Sequence, residues 1–190
     1  MKKNGGIISH QDLKSYQAKF RNPIQGSFQN FTVYSMPPPS SGGTHLIQLL
    51  NILESLNLNP RQSSEAYIQL SETMKVAYAD RAFHMGDPDF VSMPTQRLTS
   101  KSYAISQADA IQKNGVRASN TIQASNVDMP KESRQTTHFS VVDSAGNAVA
   151  LTTTINLSYG NGHVVEGAGF LLNNEMDDFS AKPGHPNAFG

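Results

Sequence analysis

The chain has 190 residues, with 15 Lys and Arg balanced by 15 Asp and Glu, and no cysteine. That is one domain's worth of chain, able to bury roughly 70% of the surface it exposes when unfolded. The scattered, balanced charge excludes a basic nucleic-acid face and gives no sign of membrane steering; the absence of cysteine excludes disulfides, thiolate metal sites and thiol nucleophiles. No apolar run approaches the length of a membrane span. The start, MKKNGGIISHQDL, has two lysines without an apolar core behind them, so it does not read as a secretory signal.

The first half reads as helices separated by loops. In SHQDLKSYQAKF, Ser9 is an N-cap with Asp12 three residues on, an acidic variant of the capping box. FQNFTVYSM reads as a strand, ended by Pro37, Pro38 and Pro39, which cannot donate to a ladder. SSGGTHLIQLLNILESL follows, with Ser40, Ser41 or Thr44 as cap. Its apolar residues Leu46, Ile47, Leu49, Leu50, Ile52, Leu53 and Leu56 wrap most of the helix, the pattern of a buried one. SSEAYIQLSETMKVAYADRAF starts at Ser63 or Ser64, carries acids early and Lys75 and Arg81 late, and is broken by GDPDF. TSKSYAISQADAIQKNG is a shorter helix stopped by Asn114-Gly115. Residues 116–135 have no apolar period and predict a surface loop.

After residue 136 the period changes to two. HFSVV and AVALTTTIN flank DSAGN, where Asp143 and Gly146 suit a type I turn with the glycine left-handed. A three-residue loop, Ser144-Ala145-Gly146, then closes a hairpin between Asp143 and Asn147. In that register Ser140 faces Ala150 and Thr136 faces Thr154. Period two places Thr152, Thr154 and Asn156 on one face, so Thr136, Thr154 and Asn156 come together. A slip of one residue would separate them.

Threonines in both arms of a hairpin are explained by strand propensity alone. A chemical reading needs a base beside the hydroxyl. A threonine at a chain N-terminus has one in its own α-amine, whose pKa of about 7.7–8.0 suits proton transfer near neutrality. Thr136 is internal, so that chemistry requires cleavage of the Gln135–Thr136 bond, for which the 116–135 loop gives slack. Other motifs carry less. The six histidines lack metal-ligand spacing, and His138 has a structural or surface role as its simpler reading. PPPSSGG lacks the Gly-Lys-Ser/Thr ending of a phosphate loop and reads as a rigid turn and cap. NNEMDD lacks EF-hand spacing, and no Gly-x-Ser-x-Gly elbow is present.

QTTHFSVVDSAGNAVALTTTIN and GFLLNNEMDDFSAKPG closely resemble the γ-glutamyltranspeptidases, members of the Ntn-hydrolase superfamily. KNGGIISHQDLKSY, VYSMPPPSSGGTHLIQLLNILE and AYADRAFHMGDPDF resemble that family's large subunit, and residues 107–131 are the weakest part of the match. The resemblance implies an α+β fold, the four-layer α/β/β/α sandwich, incomplete in this chain. It divides the chain into residues 1–135, the end of a large subunit, and 136–190, the start of a small one, together part of one domain. It makes Gln135–Thr136 the site of self-cleavage, Thr136 the nucleophile, and Thr154 the threonine that hydrogen-bonds it. Asn156 would bind the glutamyl group, and Glu175 and Asp178 the substrate α-amine, as a carboxylate partner for an ammonium should. Phe189 stands where the lid of some relatives has tyrosine, and it has no hydroxyl with which to latch.

The implied activity is transfer of the γ-glutamyl group of glutathione, or of other γ-glutamyl compounds, to water or to amino acids and dipeptides. No metal or organic cofactor, no nucleic acid and no membrane span is implied. The resemblance suggests a periplasmic or secreted location, with the cytoplasm as the alternative. It places a substrate-binding arginine before residue 1, and a Ser-Ser pair and a Gly-Gly oxyanion hole after residue 190, so the expectation is a central fragment. Two other functions stay open: a processed but inactive piece with a structural or interface role, and a related Ntn acylase.

Overall fold

The computed structural model describes residues 1, 5–57, 63–122 and 136–179. Its first element, α1 (His10–Ser15), begins with the expected acidic capping box. Asp12 N–H donates to Ser9 Oγ at 3.2 Å, and Ser9 N–H donates to Asp12 Oδ2 at 2.7 Å.

The single strand expected from Phe28 onward is a hairpin instead. β1 (Ile24–Phe28) pairs antiparallel with β2 (Phe31–Ser35), Phe28 opposite Phe31. The chain reverses at Gln29, whose φ is +50° and whose N–H donates to Glu54 Oε1 at 2.6 Å. A carboxylate from a distant helix therefore fixes a turn that the local sequence does not announce. β1 lies against α2 (Gly42–Ser55) with no room to spare: a Cβ on Gly26 would sit 2.6 Å from Ile47 Cγ2.

The helical core joins α2 to α3 (Ser64–His84) and α5 (Lys101–Asn114). Ile52, Leu56, Val76, Ala104, Ala108 and Ile111 form the buried cluster. Ser63 and Ser100 cap α3 and α5 through their side chains. Ser41 occupies the N-cap position of α2 but its hydroxyl accepts from Arg81 Nε at 3.0 Å, leaving Ser40 Oγ to accept from Gly42 N–H at 3.3 Å. A four-residue helix, α4 (Thr95–Leu98), precedes α5 and buries Leu98.

α2 is buried on one face, not all round as its apolar pattern predicts. Leu46 is exposed and Leu49, Leu50 and Leu53 are half-buried, whereas Thr44, Gln48 and Asn51 are fully buried. Hydrogen bonds select that face. Gln48 Nε2 donates to Asp80 Oδ2 at 2.5 Å, Asn51 Nδ2 donates to the Thr99 carbonyl at 2.8 Å, and Tyr103 Oη donates to Asp80 Oδ2 at 2.7 Å.

The expected loop from residue 116 is anchored at its start. Arg117 Nε donates to the buried Glu72 Oε2 at 3.0 Å and Lys75 Nζ to Oε1 at 2.6 Å, and a 3-10 turn covers Ser119–Thr121. The segment 123–135 lies outside the described residues.

β3 (Thr137–Val142) and β4 (Ala148–Thr153) form the second hairpin in the expected register, Ser140 opposite Ala150 and Thr137 opposite Thr153. Gly146 has φ +84°, and Asp143 Oδ1 accepts from the N–H groups of Ala145 and Asn147, which closes the three-residue loop. The fold is α+β. Its described strands make two two-stranded sheets, not the packed pair of a complete sandwich. Every residue of β3 and β4 is exposed.

Candidate active site

The β3–β4 register sets Thr136, just before β3, across from Thr154, just after β4. Their hydroxyls are 3.3 Å apart, with Thr136 Oγ1 donating. This is long for a hydroxyl pair, whose ordinary distance is about 2.7–2.8 Å. Thr154 Oγ1 also accepts from Asn156 N–H at 2.9 Å, so the backbone two residues on holds it in place.

Asn156 reaches the site by a route other than strand periodicity. β4 ends at Thr153, and Asn156 takes φ +71°, a left-handed conformation that asparagine tolerates. The kink buries its side chain and turns Nδ2 toward the 3-10 turn Glu175–Asp178, where it donates to Asp178 Oδ1 at 2.9 Å and to the Asn174 carbonyl at 3.2 Å. Thr136, Thr154, Asn156 and Asp178 thus form one hydrogen-bonded line.

Glu175 stands beside Asp178 at its end. Burial pushes the Glu175 carboxyl above its ordinary range, and the Asp178 charge and a shared hydrogen bond push it the same way. Its Oε1 is sealed from solvent without a hydrogen-bond partner among the described residues. Two adjacent carboxyls under these conditions are what a bound cation stabilises. Among the described residues no three His, Asp or Glu side chains converge as a metal ion would require.

Sequence reasoning passed over Asn174, which ties the loop to the hairpin. Its Oδ1 accepts from Leu157 N–H at 3.1 Å, its Nδ2 donates to Asp177 Oδ2 at 2.7 Å, and its N–H donates to the Ile155 carbonyl at 3.3 Å. Its neighbour Asn173 accepts from Glu175 N–H through Oδ1 at 3.0 Å. Paired asparagines before an acidic run are the only local sign of this. The structure therefore brings together Thr136, Thr154, Asn156, Glu175 and Asp178; Gln135 and Phe189 lie outside the described residues.

This segment is a piece of an Ntn-hydrolase fold. It superposes on a cephalosporin acylase from Bacillus halodurans with a TM-score of 0.78 at 25% identity, covering 100% of this chain and 33% of that one. It also superposes on the γ-glutamyltranspeptidase of Helicobacter pylori with a TM-score of 0.62 at 45% identity, covering 68% of this chain and 38% of that one. The family model for γ-glutamyltranspeptidase matches residues 1–190, and the chain belongs to that family. It is 52% identical over 192 residues to the glutathione hydrolase proenzyme of Escherichia coli (strain K12), covering 100% of this chain and 33% of that protein. The chain spans about a third of the length of the relatives it matches.

Proposed function

We propose that the protein containing this segment is a γ-glutamyltransferase and glutathione hydrolase that makes its own nucleophile by cleaving between Gln135 and Thr136. The observation that carries the reading is the hydroxyl pair of Thr136 and Thr154, 3.3 Å apart at the open end of a hairpin and linked through Asn156 to an acid pair. The E. coli relative's name, a glutathione hydrolase proenzyme, supports both the substrate and the processing.

In processing, Thr136 Oγ adds to the Gln135 carbonyl, and the Gln135–Thr136 C–N bond breaks as an ester forms. Water hydrolyses the ester, leaving Gln135 as a carboxylate and Thr136 with a free α-amine. In turnover, that amine takes the hydroxyl proton while Oγ attacks the γ-carbonyl, and it returns the proton to the leaving amine. Water or an acceptor amine then resolves the acyl-enzyme. Thr154 orients the nucleophile, and Glu175 and Asp178 receive the substrate α-ammonium. The partners are γ-glutamyl compounds, acceptor amino acids or dipeptides, and the two subunits of one precursor. A periplasmic or secreted location, suggested by the family resemblance, completes the reading and is checked by cell fractionation.

The test uses the full-length protein. Intact mass should show two fragments divided between Gln135 and Thr136, and a γ-glutamyl anilide should be cleaved. Thr136→Ala should abolish both; turnover that persists would remove Thr136 from its role. The likeness to the B. halodurans cephalosporin acylase supports a second reading, an acylase. Cleavage of a cephalosporin side-chain amide with the γ-glutamyl anilide ignored would establish it.

A further inference from the structure

The face of the β3–β4 hairpin that carries Thr136 and Thr154 has a second cross-strand tie. His138 is paired directly with Thr152, and its Nδ1 lies 2.7 Å from Thr152 Oγ1. On the other side of the ring, Nε2 lies 3.4 Å from Ser140 Oγ, a longer contact. Residues alternate in a strand, so Thr136, His138 and Ser140 project from the same face of β3, with Thr152 and Thr154 opposite. The intervening residues Phe139 and Leu151 project from the other face, which is apolar.

We propose that His138 is a positioning residue for the Thr136 nucleophile, acting through its cross-strand bond to Thr152. The proposal rests on the functional reading above. A nucleophile at a chain terminus has lost the peptide bond that restrained it, and strand ends fray unless tied down. The Thr136–Thr154 contact is long, so it restrains weakly. The His138–Thr152 bond is short, lies two residues inward on the same face, and among the described residues is the nearest side-chain tie the hairpin offers there. It fixes the strand separation that sets how far Thr136 Oγ stands from its partner. Misplacing a reacting group by about 1 Å costs up to about 100-fold in rate, so the tie acts on the chemical step. The imidazole transfers no proton in this scheme.

The test is steady-state and single-turnover cleavage of a γ-glutamyl anilide by the full-length protein, after complete self-cleavage has been verified by mass. His138→Ala should lower kcat between about 10- and 100-fold, leave KM within about twofold, and keep the shape of the pH profile. Thr152→Val should do the same, and the double variant should lose no more than either alone, because both remove one bond. His138→Asn, which can still bond Thr152, should recover part of the rate. An unchanged kcat in His138→Ala overturns the proposal, as does a loss confined to KM or additive losses in the double variant. Loss of one limb of the pH profile also overturns it, since that marks proton transfer by the ring. A wild-type protein that self-cleaves but ignores the γ-glutamyl anilide refutes the functional reading instead, a result that stands apart from any of these.

Discussion

Glu175 shows how one side chain couples the site to pH. Burial first, then the charge and hydrogen bond of Asp178, raise its pKa above the ordinary carboxylate value. The folded protein therefore holds a proton on Glu175 at pH values where a free glutamate has lost it. In the proposed ammonium site a bound cation would favour the ionised carboxylate, so binding would release that proton. Under the proposed function, affinity for an amine-bearing γ-glutamyl compound should therefore be full above the raised pKa and fall as pH drops through it, by up to about tenfold per pH unit. Glu175→Gln keeps the shape and has no proton to lose. KM of the variant should be higher at neutral pH and flatter toward acid than that of the wild type. A KM profile unaltered by the substitution would take Glu175 out of the ammonium site.

Among the elements, α3 carries the charge on which the helical core most depends. Glu72 is 1% exposed and meets Lys75 and Arg117, whose side chains are 24% and 18% exposed. Burial pushes the carboxyl up, but the bonds from Lys75 and Arg117 outweigh it and the pKa is lowered. A lowered carboxylate contributes stability above its unfolded pKa of 4.5 and loses it as pH falls through the folded value. Glu72→Ala leaves two cations facing each other in a largely buried site and should cost about 3–5 kcal/mol, read from urea midpoints at pH 7. The deficit should shrink in acid, where the wild type loses its own pair; a cost below about 1 kcal/mol at pH 7 would mean that water already screens the pair.

The same elements divide what the sequence discloses from what it conceals. Caps are local, so Ser9, Ser63 and Gly115 mark helix ends correctly, and Asp143 with Gly146 marks the hairpin turn that sets Thr136 against Thr154. Tertiary choices are hidden. The turn at Gln29 depends on Glu54, the buried face of α2 depends on Asp80 and Thr99, and β1 carries a glycine because Ile47 crowds it. Asn156 is the instructive case in the site. Period two places Asn156 near Thr136 and Thr154, but it cannot foresee the left-handed backbone that turns its side chain toward Asp178.

At the scale of the molecule, the helices and the β3–β4 hairpin are held by unequal means. α2, α3 and α5 share a buried cluster, whereas no residue of β3 or β4 is buried, and the apolar face formed by Phe139, Val141, Val149 and Leu151 is 40–55% exposed. A two-stranded hairpin with both faces wet is marginal in water, and its unpaired edges invite further strands. The proposed self-cleavage would need Thr136 held firmly against Thr154, and so would need that face and those edges covered. Hydrogen exchange followed by mass spectrometry should therefore find β3 and β4 amides exchanging far faster than those of α2 and α3 in the 190-residue chain. In a chain of full family length the hairpin amides should slow by orders of magnitude, and cleavage at Gln135–Thr136 should appear only there. Equal protection of the hairpin in both chains would show that it is stable by itself, and the covering layers would then bear on substrate binding, leaving the formation of the nucleophile to the hairpin alone.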